Sequence, residues 1–205
     1  MYARRTTTKA APEQRETARR VIEEVIPSIQ GLPGFRGGYW LSDAETGAGL
    51  TFTFFDSEEH LAESADIAAK VRAEATQEIG AQILAVDEFE VAVHTGDKVH
   101  RSAACARVAT LQGQSGRIDE VITTIQDVVL PAAKQLPGFL GGFWLVDRAT
   151  TQGVGVTLFD SAENIAASRD TANQIRDRAA VQAGAQVSQF AEYEVLARAK
   201  PPAAG

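Results

Sequence analysis

The sequence has few of the residues that bind metals or form disulfides. Its 205 residues include one cysteine, Cys105, and three histidines, His60, His94 and His100. A single thiol cannot form an intramolecular disulfide, and it also excludes a cysteine-rich zinc site. The histidines are scattered along the chain, so we expect no metal site and no cofactor. The lack of disulfides is typical of a cytoplasmic protein.

The sequence also lacks an excess of positive charge and any long apolar run. Its formal net charge is −7, which argues against the basic surface that binds nucleic acid or anionic membranes. No stretch approaches the roughly 20 apolar residues of a membrane span, and the first residues lack the apolar segment of a secretory signal. We therefore expect no nucleic-acid partner, no membrane partner and a cytoplasmic location.

What the sequence does contain is one domain written twice. The segment LPGFRGGYWLSD at residues 32–43 returns as LPGFLGGFWLVD at residues 136–147, an offset of 104. Between residues 32 and 91, about 28 of 60 positions are identical at this offset, which indicates a duplication. The predicted organisation is a first repeat at 1–94, a linker at 95–103, a second repeat at 104–198 and a flexible tail at 199–205.

Each repeat predicts the order βαββαβ. Apolar residues at spacings of three and four, such as Val21, Ile22 and Val25, predict the first helix. The second helix begins after Ser57, a residue suited to capping a helix N-terminus. This order is typical of a ferredoxin-like α+β unit, with two helices on one face of an antiparallel sheet. We expect the two sheets to pack face to face, forming an intramolecular pseudo-dimeric α+β barrel that is also free to form a homo-oligomer.

Strand alternation predicts which side chains face the helices. We assign Leu50, Phe52 and Phe54 to the helix side because this set is apolar in both repeats. The opposite face then carries aromatic rings and hydroxyl groups, which indicates a semi-polar cleft between the two sheets. The residues predicted to bind a small-molecule ligand there are Trp40, Trp144, Thr53, Thr157, Phe55 and Phe159.

Glutamates recur in the last strand of each repeat, at Glu88 and Glu90 and again at Glu192 and Glu194. The same alternation points them toward the cleft, where a desolvated carboxylate has a raised pKa and can act as a base. Glu90 and Glu194 are therefore the candidate catalytic residues. Two alternatives remain open: ion pairs with arginines such as Arg5 and Arg107, or charges that protect an exposed sheet edge.

The βαββαβ order, the PGF-x-GG-x-W-L-x-D strand and the FDS start of the second helix resemble the antibiotic-biosynthesis-monooxygenase-like proteins, which form dimeric α+β barrels. The resemblance covers nearly the whole chain, once per repeat, and its motifs are specific to the fold rather than to a reaction. It implies a cofactor-independent monooxygenase, or a related enzyme, acting on an aromatic or polyketide-like substrate. The alternatives are a non-catalytic ligand-binding or assembly protein, and a haem-binding or haem-degrading protein.

Overall fold

A computed structural model describes residues 1–95 and 102–201 of the chain. The predicted linker at 95–103 and the predicted tail at 199–205 are only partly within this range, and His100 lies outside the described residues. Over the described residues, the predicted βαββαβ order is found in both repeats, with each second helix divided into a short and a long segment.

The first repeat supplies four strands and three helical segments. In chain order these are β1 (Tyr2–Lys9), a 3₁₀ turn (Pro12–Gln14), α1 (Arg15–Gln30), β2 (Phe35–Ser42), β3 (Ala48–Phe55), α2 (Glu58–Glu63), α3 (Ala65–Ile79) and β4 (Gln82–His94). The predicted helix cap is confirmed, because Ser57 Oγ accepts a hydrogen bond from the backbone N–H of His60 at 3.1 Å.

The second repeat follows the same order, with one irregularity in its first helix. Its elements are β5 (Cys105–Gln112), α4 (Ile118–Thr124), a π-helical segment (Ile125–Val129), α5 (Leu130–Ala133), β6 (Phe139–Val146), β7 (Gln152–Phe159), α6 (Ala162–Ala167), α7 (Arg169–Ala183) and β8 (Gln186–Ala199). The π-helical turn lies just before Pro131, which has no backbone N–H to donate to the helix.

The strands form one antiparallel array. In each repeat the third strand lies between the first and the second: β3 pairs with β1 and β2, and β7 pairs with β5 and β6. The hydrogen-bonded order is β1-β3-β2-β8-β5-β7-β6-β4, which closes into an eight-stranded barrel. The predicted fold class, an α+β barrel made from two ferredoxin-like repeats in one chain, is confirmed.

The chain divides into two compact units that do not follow the repeats strictly. Unit 1 consists of Met1–Phe89 together with the chain from Glu194, and unit 2 is Glu90–Tyr193. In unit 1, the end of β8 pairs with β2 from Gly38↔Ala199 to Ser42↔Glu194. In unit 2, the end of β4 pairs with β6. Each unit therefore contains strand residues from both repeats.

The predicted assignment of sheet faces was wrong. A β-bulge between Phe35 and Gly37 makes Arg36 an extra residue in β2, so Trp40 shares a face with Phe35 and Phe55. That face packs against the helices, where Trp40 and Phe55 belong to one buried cluster with Leu61. Leu50, Phe52 and Phe54, which alternate with this set, lie on the face away from the helices. Both faces are buried, so apolar character alone could not identify the helix side.

Within residues 1–95 and 102–201, none of the helices is both long enough and apolar enough to cross a membrane.

Candidate ligand-binding clefts

Each unit contains a cleft between its helices and its sheet. The unit 1 cleft has a volume of about 140 Å³ and is lined by side chains of α1, α3 and the first three strands. The unit 2 cleft has a volume of about 130 Å³ and is lined by side chains of α4, α5, α7 and β5 to β7. The sequence predicted a cleft between the two sheets; these two clefts instead lie on the helix side of each sheet.

A tryptophan forms one wall of each cleft. Trp40 lines the unit 1 cleft and Trp144 lines the unit 2 cleft, and each is only 6% exposed. The indole lies close to the second glycine of the preceding pair: a Cβ built at Gly38 or Gly142 would lie 3.1 Å from the ring. The GG-x-W motif thus places a flat aromatic surface in the cleft, because glycine leaves room for the ring on the sheet.

The other predicted binding residues divide into two groups. Thr53 and Thr157 line the clefts beside the tryptophans. Phe55 and Phe159 line neither cleft, because each is completely buried. Phe55 packs edge-on against Phe35 with ring centroids 6.2 Å apart, and Phe159 makes the equivalent contact with Phe139 at 6.3 Å. Each ring belongs to a buried apolar cluster, Phe55 with Leu61 and Phe159 with Ile165.

A buried arginine lines the unit 1 cleft. Arg4 is 3% exposed, and its Nε and Nη2 donate to Oε1 of Glu88 at 3.0 and 2.8 Å. Its Nη1 donates to Ser64 Oγ at 2.9 Å and its Nη2 donates to the Leu61 carbonyl at 2.8 Å. The guanidinium therefore ties β1 to β4 and to the junction of α2 and α3, and all three of its nitrogens already donate hydrogen bonds.

Unit 2 repeats this arrangement around Arg107. Its Nε and Nη2 donate to Oε1 of Glu192 at 3.1 and 2.8 Å, while Ser168 Oγ and the Ile165 carbonyl accept the remaining bonds at 3.1 and 2.6 Å. Burial lowers the pKa of Arg107, although Glu192 opposes that effect. Burial raises the pKa of Glu192, but hydrogen bonds from Arg169 and Arg107 outweigh it and hold the net pKa below its ordinary value. The pair is therefore ionised.

These contacts confirm the ion-pair alternative for the recurring glutamates. The partner of Glu88 is Arg4, whereas Arg5 pairs with Asp87 at 2.7 Å. Arg4 and Arg107 are 103 residues apart, whereas their partners Glu88 and Glu192 are 104 apart. The offset between the first strands of the two repeats is therefore one residue shorter than elsewhere, and this hides the equivalence of the two arginines in the sequence. Sequence reasoning therefore missed Arg4.

Glu90 and Glu194, the candidate catalytic residues, also form ion pairs. Glu90 Oε2 accepts a hydrogen bond from Arg148 Nε at 2.8 Å, and Glu194 pairs with Arg15. Both carboxylates are partly exposed, and neither lines a cleft. Their catalytic role stays a prediction from the sequence, with no cleft geometry beside it.

The described residues do not offer a haem ligand in either cleft. No histidine within residues 1–95 or 102–201 lines a cleft. His60 lies at the start of α2 with Nδ1 2.6 Å from Asp56 Oδ1, and this hydrogen bond raises the pKa of His60. Over the same described ranges, no group of three His, Cys, Asp or Glu side chains could hold a metal ion. A haem held by an axial histidine does not fit these clefts.

Two further cleft residues, Arg72 of α3 and Arg176 of α7, were missed in the sequence. Arg72 lines the unit 1 cleft and Arg176 lines the unit 2 cleft. They recur at the offset of 104, and this repetition of a cationic residue on a predicted helix could have identified them.

Comparison with known proteins supports the fold and leaves the activity open. No protein-family model matches the chain. An uncharacterised protein of Mycobacterium tuberculosis is 29% identical over 206 residues, which cover 98% of this chain and 91% of that protein.

Solved structures resemble this chain in fold, although their sequences are only distantly similar. An anthrone oxidase-like protein has a TM-score of 0.67 at 16% identity and covers 98% of this chain and 94% of its own. A presumed monooxygenase from Fusobacterium nucleatum has a TM-score of 0.69 at 12% identity, with coverage of 97% and 94%. A haem-degrading enzyme from Listeria monocytogenes has a TM-score of 0.53 at 9% identity, with coverage of 93% and 98%. At such identities the likeness concerns the fold and not the reaction. The chain thus has the ferredoxin-like α+β barrel fold of these monooxygenase-like proteins, with both repeats in a single polypeptide.

Proposed function

We propose that the protein binds a flat aromatic molecule in its clefts and oxidises it with molecular oxygen, as a cofactor-independent monooxygenase. The observation that supports this best is the indole wall of each cleft, formed by Trp40 and Trp144. A concave and mostly apolar site with an aromatic wall favours a planar ligand, because ring faces stack with little loss of side-chain entropy. The anthrone oxidase-like and monooxygenase-like structures with this fold support the choice of reaction.

The chemistry that suits such a cleft is the oxidation of an anthrone-type ring. Loss of a proton from the ring CH₂ group gives an electron-rich phenolate-like anion, which can donate electrons directly to O₂. The overall change is CH₂ + O₂ → C=O + H₂O. The carbon loses four electrons; one oxygen atom becomes the carbonyl oxygen and the other leaves as water. The substrate itself supplies the reducing electrons, so this reaction needs no bound cofactor or external reductant.

The role of the chain in this proposal is to position and shelter the ring. The tryptophan and the surrounding alkyl side chains hold the ring and exclude water, and the neighbouring threonines, such as Thr53 and Thr157, offer hydroxyl groups to its oxygen substituents. No Asp, Glu or His of the described residues lines either cleft. A substrate that loses its acidic proton to the solvent before it enters the cleft therefore suits these sites better than one that needs a strong base beside it.

The same lack of a carboxylate or imidazole in the clefts of the described chain favours a second candidate function. In that function the protein would bind an aromatic molecule without transforming it, as a carrier or an assembly component. The two functions share the ligand class and differ in whether oxygen is consumed.

An oxygen-uptake assay with anthrone as the probe separates these functions. We expect the protein, treated with a chelator and supplied with no reductant, to accelerate anthraquinone formation with one O₂ consumed per anthraquinone. Trp40→Phe and Trp144→Phe variants should lower the rate, because each replaces an indole with a smaller ring and so reduces the aromatic area that contacts the substrate in one cleft. Binding of anthrone without acceleration would support the non-catalytic function, and the absence of both binding and acceleration would refute the proposal.

A further inference from the structure

The two clefts have diverged in polarity although they derive from one duplicated domain. Five positions that line the unit 1 cleft with hydroxyl groups have apolar or absent side chains at the equivalent positions of unit 2. The equivalence follows from strand register, since Thr8 pairs with Gly49 as Leu111 pairs with Gly153. The replaced pairs are Thr6 and Ala109, Thr8 and Leu111, Ser42 and Val146, Thr51 and Gly155, and Thr76 and Ala180.

In the unit 2 cleft, the guanidinium group of Arg176 is already engaged by neighbouring side chains. Nη1 of Arg176 donates to Asn173 Oδ1 at 3.0 Å, and its Nε and Nη2 lie 2.9 and 2.8 Å from Asp177 Oδ1. Its guanidinium carbon lies 4.4 Å from the centroid of the Phe190 ring. The charge of Arg176 is therefore neutralised and stacked, and it has little left to offer a ligand.

Arg72, the residue of unit 1 equivalent to Arg176, has none of these partners. At the positions of Asn173, Asp177 and Phe190, unit 1 has Ala69, Ala73 and Val86. Arg72 is half-buried on the wall of the cleft, and no hydrogen bond or ion pair to its side chain is found within residues 1–95 and 102–201. Burial and the nearby charge of Arg4 lower the pKa of Arg72, while Glu88 partly offsets them. A half-buried cation without a counter-ion is costly, and a bound anion would remove that cost.

From these contacts we infer that the unit 1 cleft binds the anionic form of an aromatic molecule, with Arg72 receiving its carboxylate or phenolate oxygen. The unit 2 cleft then binds neutral aromatic molecules only. This inference rests on the proposed function, because it assigns the charge state of the ligand in each of the same two clefts. Within the oxygenase proposal, Arg72 would hold the deprotonated substrate and make unit 1 the site where the reactive anion accumulates.

Two probes of equal shape distinguish the clefts: 2-naphthoate, which is an anion at pH 7, and 2-naphthamide, which is neutral. The sequence contains only two tryptophans, Trp40 and Trp144. Their two indole N–H signals in a nitrogen–proton NMR spectrum therefore report the two clefts separately. Trp40→Phe and Trp144→Phe assign the signals. We expect 2-naphthoate to shift the Trp40 signal at lower concentration than the Trp144 signal.

Three substitutions test the role of Arg72. Arg72→Gln should raise the Kd of 2-naphthoate at the Trp40 cleft about tenfold, the size of one charge-assisted hydrogen bond, and should leave 2-naphthamide binding unchanged. Arg176→Gln is the matched control and should leave 2-naphthoate binding at the Trp40 cleft unchanged. Ala73→Asp introduces on the exposed face of α3 the counter-charge that Asp177 provides in unit 2. It should also weaken 2-naphthoate binding, with Arg72 still in place.

The outcomes separate this inference from the proposed function. Equal binding of both probes at the Trp40 cleft, unaffected by Arg72→Gln, would overturn the role of Arg72 while leaving aromatic binding intact. A preferential shift of the Trp144 signal by 2-naphthoate would overturn the assignment of the anion to unit 1. If neither probe shifted either signal, the proposed function and this inference would both fail.

Discussion

The indole of Trp144 rests directly on Gly155. A Cβ at Gly155 would lie 3.1 Å from both Cδ1 and Nε1 of the ring, closer than nearly all real contacts of this kind. The two residues are cross-strand partners in β6 and β7. Trp40 has Thr51 as the equivalent partner in unit 1. In unit 2, the indole of Trp144 therefore takes its position because Gly155, the residue opposite it, has no side chain.

Adding one methyl group at Gly155 should displace the indole. We expect Gly155→Ala to lower the free energy of unfolding by about 1 kcal/mol through overpacking, and to change the fluorescence of Trp144. Gly153→Ala is the matched control in the same strand, because its Cβ would meet only the Leu145 carbonyl at 3.8 Å. Urea unfolding of both variants measures the difference; equal stabilities would show that the ring does not depend on Gly155.

The buried ion pair of unit 2 should contribute far more to stability than a surface pair. Arg107→Met leaves the Glu192 carboxylate and the Ser168 hydroxyl without their shared donor, and we expect a loss of about 3 kcal/mol. Arg117→Met removes a partly exposed pair with Glu120 and should cost less than about 1 kcal/mol. Chemical unfolding at pH 7 compares the two variants. Similar losses for both would mean that the guanidinium network does not hold β5 to α6 and α7.

The His60–Asp56 pair should make stability depend on pH. Hydrogen bonding to Asp56 raises the pKa of His60 above its ordinary 6.5, and the hydrogen bond from His60 lowers the pKa of Asp56 below its ordinary 3.8. The stabilisation is therefore complete between these ordinary values. It is lost on raising the pH through the raised pKa of His60, and on lowering it through the lowered pKa of Asp56.

The second repeat provides the control for this pH dependence, because it has Asn164 where the first has His60. We expect His60→Asn to remove the decline in stability above neutral pH, since the Asn164 amide donates to Asp160 without titrating. Thermal unfolding from pH 5 to pH 9 would measure this. An unchanged pH profile in the variant would show that another group causes the dependence.

The turn before β2 should tolerate no side chain. Gly34 has a φ of +66°, and a Cβ there would lie 2.3 Å from Asp56 Oδ1 and 2.4 Å from His60 Nδ1. Gly80 has a similar φ of +72° with nothing within 4 Å. We expect Gly80→Ala to cost about 1 kcal/mol from the left-handed backbone alone, and Gly34→Ala to cost clearly more. Urea unfolding measures both losses of stability. If the two variants lost the same free energy of unfolding, the side chains of Asp56 and His60 would be able to move away from the new methyl group without cost.

Much of the architecture could be predicted because it depends on local patterns. The Ser57 cap and the apolar spacing in α1 act over a few residues, and both are found where the sequence places them. Four of the residues predicted to bind a ligand, Trp40, Trp144, Thr53 and Thr157, line clefts, but on the helix side of the sheet. Arg4 was missed because its partners Ser64 and Glu88 lie 60 and 84 residues away in the sequence.

The sequence by itself determined that this protein is a duplicated βαββαβ unit with a GG-x-W strand in each copy. Those features follow from repetition and short-range spacing, which need no knowledge of the packed structure. Only the tertiary structure decided which sheet face meets the helices, because both faces are buried and one bulged residue, Arg36, inverts the alternation of β2. Only the tertiary structure placed Arg72 and Arg176 on the walls of clefts, because each cleft is assembled from helices and strands that lie far apart in the sequence.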